Sequence, residues 1–305
     1  MEIISPPHNW QVKKRRHRHK LIIYLLSAIL IVYFILRISQ PSIQQLISPL
    51  INFQSANLKD AVEKALEGNK GTYGIVIKDL KKEERYTLNE HQVFEVGSLY
   101  KLWVMAEAFD QVHNGQLKED EVLSESNPKL NAKFNISSES AELKEGTITL
   151  SVKDALNQMI TISHNQAALL LTEKVKLSKV ARFLKEKGFN DSKVATAGGS
   201  PTSTPADIAL FLEKLYTGNL INSQGMLELL KKQQLNNKLP KGLPNRVSIA
   251  HKTGEIGYFT HDAGIVFTPK TDYIIVVLSE SDYPPGAEDR ISQISKSVYD
   301  YFERK

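Results

Sequence analysis

The chain has 305 residues, 41% of them hydrophobic and 24% charged, a composition that excludes a disordered polymer and leaves room for one substantial core with accessory segments. It contains no cysteine, which removes disulfides, thiolate nucleophiles and zinc–thiolate sites together and suits an oxidising compartment. The formal charge of +5 would suit nucleic acid, but residues 1–37 hold seven Lys/Arg against one Glu, so the remainder has 32 basic and 33 acidic residues and a net charge of −1. The body of the protein is neutral, and no nucleic-acid partner is expected.

The basic excess is the run KKRRHRHK (Lys13 to Lys20), followed directly by the uncharged stretch LIIYLLSAILIVYFIL (Leu21 to Leu36). A membrane-spanning helix needs about 20 apolar residues. Lys20 and Arg37 can snorkel at its ends, and Tyr24 and Tyr33 suit the interfaces. No small-x-small cleavage site follows Arg37, so residues 21–37 read as an uncleaved signal-anchor in the cytoplasmic membrane. The positive-inside rule keeps residues 1–20 as a cytoplasmic tail and exports everything after Arg37. Residues 38–56, with Pro41 and Pro49 and little charge, read as a stalk, and residues 57–305 as the folded domain.

That domain opens with LKDAVEKALEG (Leu58 to Gly68), apolar at helical spacing with a glycine stop. TYGIVIKDL and EERYTLN then alternate as two strands of a hairpin. From Ser98 to about Gln234 the pattern is helical, with Ser151 as a cap, Pro205 in a first turn, and Gly115, Gly188 and Gly218 closing helices. VSIAHKTGEI, HDAGIVFTP and DYIIVVLSES read as three strands, and RISQISKSVYDYFERK as a last amphipathic helix. The fold class is therefore α+β: an antiparallel sheet of about five strands, covered on one face by the terminal helices, with an all-α insertion against another face or edge. A crevice between the two parts is the expected site.

FEVGSLYKLWVM (Phe94 to Met105) puts Ser98 and Lys101 one helical turn apart. A serine hydroxyl needs a neighbouring base to become a nucleophile, and a desolvated lysine can serve. By itself the pair reads better as an N-cap serine and a solvated lysine. A second S-x-x-K, SNPK at Ser126 to Lys129, contains Pro128 and reads as a turn. Two further stretches change the balance: ITISHNQAA places Ser163, His164 and Asn165 in a break between helices, and AHKTGEI places Lys252, Thr253 and Gly254 on the first C-terminal strand.

S-x-x-K, then S-x-N, then K-T-G, in that order, resembles the signature of class A β-lactamases and penicillin-binding proteins. The resemblance covers Leu58 to Lys305 and implies a β-lactamase/transpeptidase-like serine hydrolase. It implies that Ser98 is the acylated nucleophile, Lys101 its proton acceptor, and Ser163 the relay to the leaving nitrogen. Asn165 would hold Lys101 and the substrate amide, Lys252 would sustain the field around Ser163, and Thr253, beside Gly254, would bind the substrate carboxylate. The backbone N–H groups of Ser98 and Glu255 would form an oxyanion hole. No cofactor or metal is implied, and a monomer is expected.

The sequence departs from that family at His164, at His261 and between Lys187 and Leu212. His164 stands where an aspartate is usual and is assigned no chemistry; His261 falls near the place of a carboxylate-binding arginine and is expected to take that role; His251 should point away from the site. The stretch from Lys187 to Leu212 lacks the glutamate that activates the deacylating water in class A enzymes, its only acids being Asp191 and Asp207. Asp207 is expected to complement a helix dipole and Asp191 to sit in a turn. The expectation is an anchored, extracytoplasmic hydrolase of β-lactams with slow deacylation, active in the antibiotic response. The alternatives are a D-alanyl-D-alanine carboxypeptidase acting on cell-wall peptides and a β-lactam sensor that acylates without turnover.

Overall fold

The side chain of Asn57 accepts the N–H of Asp60 and so caps helix α1 (Leu58–Leu66), whose buried Leu58, Ala61, Val62 and Ala65 share one face at helical spacing. From there the computed structural model describes residues 57–195 and 199–305. The tail, membrane anchor and stalk expected of residues 1–56 lie outside the described residues. Among the described residues no helix is long and apolar enough to cross a membrane.

Five strands form the main sheet: β1 (Thr72–Asp79), β2 (Arg85–Leu88), β7 (Ser248–Ile256), β8 (Phe259–Phe267) and β9 (Tyr273–Glu280). Their order is β2-β1-β9-β8-β7, and every pairing is antiparallel. Strand β9 lies in the middle and is apolar on both faces. Its Ile274, Val276 and Leu278 join the core under the helical middle, while Tyr273, Ile275 and Val277 join the core under α1 and the terminal helix α9 (Pro284–Arg304). Full burial of each such side chain contributes about 1.5–3 kcal/mol, so the strand is anchored by apolar packing on both faces. The terminal helices cover one face, as the chain ends predict.

The helical middle contains α2 (Lys101–His113), α3 (Asn127–Lys133), α4 (Val152–Thr161), α5 (Asn165–Val175), α6 (Leu177–Glu186), α7 (Pro205–Tyr216) and α8 (Ser223–Leu230). Helix α2 is buried almost all round, from Lys101 through Phe109, so its first residue carries an amine into a low-dielectric core.

The structure differs from the sequence-based expectation in three places. Ser98 does not begin an α-helix: Gly97–Tyr100 form a 3-10 turn that leads into α2. The proline of SNPK does not make a turn; Ser126 precedes α3 and Pro128 sits in its first turn, where its missing N–H costs nothing. Strands β4 (Val122–Ser126) and β5 (Thr147–Ser151) pair as a small separate ribbon, and β3 (Phe94–Glu95) pairs with β6 (Thr202–Ser203).

Candidate active site

The 3-10 turn carrying Ser98 is pressed against β7, the edge strand that carries the K-T-G triplet. Gly97 has φ +47°, and a Cβ there would lie 2.6 Å from the Glu255 carbonyl oxygen and 2.8 Å from its nitrogen. A Cβ on Gly254 would lie 2.4 Å from the Val96 carbonyl oxygen. Only glycine at both positions lets the two backbones approach so closely, and the approach sets the Ser98 and Glu255 peptides side by side.

Lys101 is 1% exposed. Its Nζ donates to the Ser163 carbonyl at 2.6 Å, to Asn165 Oδ1 at 2.8 Å and to Ser163 Oγ at 3.2 Å. Ser163 can offer both oxygens because its φ of +58° turns the carbonyl and the hydroxyl toward the same amine, a left-handed conformation that costs a non-glycine residue about 1–3 kcal/mol. The break between α4 and α5 that permits it is held from outside: the Gln234 N–H donates to the Thr161 carbonyl at 2.8 Å, and the Gln233 amide to the Ile160 carbonyl at 2.6 Å. Burial pushes the Lys101 pKa down to about 7, with the Glu142 carboxylate acting in the opposite sense. A neutral amine still satisfies the Ser163 carbonyl and Asn165 with two N–H groups and keeps a lone pair for a proton.

Lys252, fully buried, donates to Ser163 Oγ at 2.9 Å and to the Thr253 carbonyl at 3.0 Å. Burial, and then the charge of Lys101, hold its pKa well below the ordinary lysine value. One hydroxyl thus lies between two amines, an arrangement that can pass a proton. Asn165 and Ser98 line a crevice of about 530 Å³ together with Gly97, Glu142, Gln166 and Glu255. Thr253 and Gly254 are buried on the strand beside it.

His261 does not join this site. It is fully buried, accepts the Ser279 N–H on Nδ1 at 3.0 Å and places Nε2 2.8 Å from the Glu95 carbonyl. Both nitrogens are taken by backbone, and burial pulls the pKa down to about 4. A neutral ring with no free edge cannot bind a substrate carboxylate, so the expected role is withdrawn. His164 caps α5, its Nδ1 accepting the Ala167 N–H at 3.2 Å. His251 points to the other face of β7 and meets the buried Asp262 at 2.9 Å.

Three residues had no motif to reveal them. Lys238, with a fully buried side chain, pairs with Glu255 and approaches Glu288 at 3.6 Å, so positive charge behind the K-T-G strand comes from a lysine outside that motif. Asp262 accepts the Leu239 N–H at 3.0 Å as well as meeting His251, fixing the incoming loop to the strand. Asp207 does more than complement a helix: its Oδ2 accepts the Asp191 N–H at 2.9 Å and the Ser192 hydroxyl at 2.8 Å. It anchors the segment between α6 and α7. Asp191 itself faces His91 at 3.7 Å. Among the described residues no three His, Cys, Asp or Glu side chains gather to hold a metal ion.

The fold is shared with solved structures. That of PBP-A superimposes with a TM-score of 0.70 at 22% identity, over 82% of this chain and 97% of that one. A leucine-to-glutamate mutant of PBP-A, solved as its acyl-enzyme complex with penicillin G, gives 0.69 at 22% identity, over 81% and 96%. A β-lactamase from Chitinophaga pinensis gives 0.70 at 21% identity, over 80% and 98%. No curated protein sequence matches the chain. The sequence profile of the β-lactamase enzyme family, Beta-lactamase2, matches residues 57–302, and with this fold around the serine–lysine crevice the chain belongs to the β-lactamase enzyme family of active-site serine hydrolases.

Proposed function

We propose that the protein opens β-lactam amides through an acyl-Ser98 intermediate and releases the acyl group slowly. The observation that carries this reading is the single Ser163 hydroxyl between the Lys101 and Lys252 amines, 3.2 and 2.9 Å away. Neutral Lys101, directly or through a water, takes the Ser98 hydroxyl proton as Ser98 Oγ attacks the lactam carbonyl. The N–H groups of Ser98 and Glu255 stabilise the resulting oxyanion, an effect worth about 3–4 kcal/mol per donor in comparable acyl transfers. As the carbon–nitrogen bond breaks, Ser163 gives its proton to the nitrogen and is reprotonated by the Lys101 ammonium, so protons balance. Asn165 holds Lys101 in place, and Thr253 with Lys252 receives the substrate carboxylate, His261 being unavailable.

Release of the acyl group needs an activated water. The segment between α6 and α7 lines the crevice with Val194, Ala195, Gly199, Ser200 and Pro201, none of them acidic, and Asp207 is engaged elsewhere. That segment therefore supplies no base for the water, and turnover should fall well below the median enzyme value of about 10 s⁻¹. The same absence supports a second reading, a D-alanyl-D-alanine carboxypeptidase of cell-wall peptides or a sensor that stays acylated. In either case residues 21–37 would anchor the protein in the cytoplasmic membrane with the hydrolase outside.

Intact mass spectrometry after a pulse of benzylpenicillin tests acylation and release together. The expected result is one adduct per chain, persistent over many minutes and absent from Ser98→Ala. An adduct on that variant would refute the nucleophile assignment, and rapid return to the unmodified mass would refute slow release.

A further inference from the structure

The crevice has a charge that the acylation chemistry leaves unused. Its lining contains three charged side chains, Lys133, Glu142 and Glu255. Lys133 is engaged by Glu173, and Glu255 by Lys238. Glu142 alone of the three has no ion-pair partner among the described residues, yet its charge reaches Lys101 strongly enough to act on that amine.

The segment that carries Glu142 is held in place. Asn131, buried on α3, donates its amide to the Leu143 carbonyl at 2.8 Å, and the neighbouring Asn127 donates to the Glu145 carbonyl at 2.7 Å. The Asn127 N–H adds a bond to the Gly146 carbonyl at 2.9 Å. Because the Leu143 contact fixes which end of the Asn131 amide is nitrogen, Asn131 Oδ1 faces Gln166 and accepts its amide at 3.4 Å. Gln166 directly follows Asn165, so a continuous polar chain ties the Glu142 segment to the residue that holds Lys101. The wall that shares the crevice with Ser98 thus carries an exposed carboxylate on a tethered backbone, and no unpaired cation lines the crevice among the described residues.

The position of the crevice says which part of a substrate would meet that carboxylate. Ser163, Lys252 and Thr253, which serve the leaving group and its carboxylate, are not among the lining residues, whereas Ser98, Asn165, Gln166 and Glu142 are. The volume therefore lies on the acyl side of the scissile bond. We infer that Glu142 is a specificity-determining residue, and that the crevice selects acyl donors whose acyl portion carries a primary ammonium. This rests on the proposed acylation of Ser98. The same chemistry could come from an amino-bearing β-lactam or from a cell-wall peptide with a free amine on its acyl side, and paired probes separate the two.

The experiment compares aminobenzylpenicillin with benzylpenicillin, which differ by one amino group, in second-order acylation of the wild type, Glu142→Gln and Glu142→Lys. It is run at about pH 6.5, where the added amine is largely protonated. A parallel arm compares D-alanine release from Nα-acetyl-L-lysyl-D-alanyl-D-alanine and its Nε-acetylated form. A partly exposed ion pair is worth up to about 1 kcal/mol, so the wild type should prefer the amine-bearing member of a pair by about threefold to fivefold. The preference should fall to about one in Glu142→Gln, invert in Glu142→Lys and shrink with added salt. Discrimination in either pair supports the subsite and identifies its source. An amine preference that is absent from the wild type in both pairs, or unchanged in Glu142→Gln, while acylation proceeds overturns it. Failure of every probe to acylate Ser98 overturns the proposed function itself, and the subsite with it.

Discussion

Lys101→Met removes an amine that the fold holds neutral at a cost, and that cost has a defined pH dependence. In the unfolded chain a lysine titrates near its ordinary value of 10.5, whereas burial brings the folded Lys101 to about 7. Between those values the unfolded state binds one more proton than the native state, so stability rises with pH across the window and is lowest below about 7. Integrated from pH 7 to pH 9, the difference is about 2 kcal/mol, after allowing for the half-protonated native amine at the lower end. The variant lacks this dependence, although it strands Asn165 Oδ1 and the Ser163 carbonyl at every pH. Denaturant unfolding of both proteins at the two pH values measures the effect, together with the release of Lys252 from the Lys101 charge that lowers its pKa. The wild type should gain about 2 kcal/mol on Lys101→Met between the two conditions. The acylation rate should rise with pH through about 7 and drop at least about a hundredfold in the variant, the lower end of general-base contributions. A pH-independent stability difference would mean that Lys101 remains protonated in the folded protein, and the base assignment would fail with it.

Gly254→Ala places a methyl group 2.4 Å from the Val96 carbonyl; it should slow acylation more than tenfold by driving the Ser98 turn off β7, measurable with a fluorescent penicillin. Asp207→Ala strands the Asp191 N–H and the Ser192 hydroxyl and should cost about 1–3 kcal/mol in denaturant unfolding, with protease nicking favoured between α6 and α7. For the full chain in membrane vesicles, protease on the outside should digest the hydrolase domain, whereas recovery of a soluble form beginning after Arg37 would show a cleaved signal peptide.

Ser98, Lys101, Ser163, Asn165 and Lys252 could be singled out in the sequence because their three short motifs follow one another in the order of the family they resemble, each on a recognisable local element. The helix start carries an amine one turn beyond the serine, and the interhelical break exposes a hydroxyl and an amide. The role expected of His261 failed because it depended on strand pairing. His261 lies opposite Gly254 on β7 and Leu278 on β9, and its ring is enclosed by the backbone of Glu95 and Ser279. Lys238 and Glu142 escaped notice because their partners are far in sequence and their surroundings have no period. Lys238 pairs with Glu255 across a loop, and Glu142 lies in a stretch whose position is set by two asparagines of a helix hidden behind Pro128. The α-β-β opening and the three closing strands were readable from alternation. The β4–β5 ribbon was not, since its strands are short and interrupted by α3 and the segment that follows.

The central β9 strand has a consequence for the order in which the molecule assembles. It pairs with β1 from Thr72 opposite Glu280 to Asp79 opposite Tyr273, so nearly the whole domain must be synthesised before the middle of the sheet can close. Loop closure over about 200 residues is entropically uphill until those contacts reward it, while α2 to α8 and the β7–β8–β9 meander involve mainly shorter-range contacts. Strand β1, with its apolar Ile75, Val76 and Ile77, can pair early with β2 along one edge, but its other edge waits for β9. During that interval it is an exposed pairing edge, and any factor that receives the emerging chain would find its binding segment there.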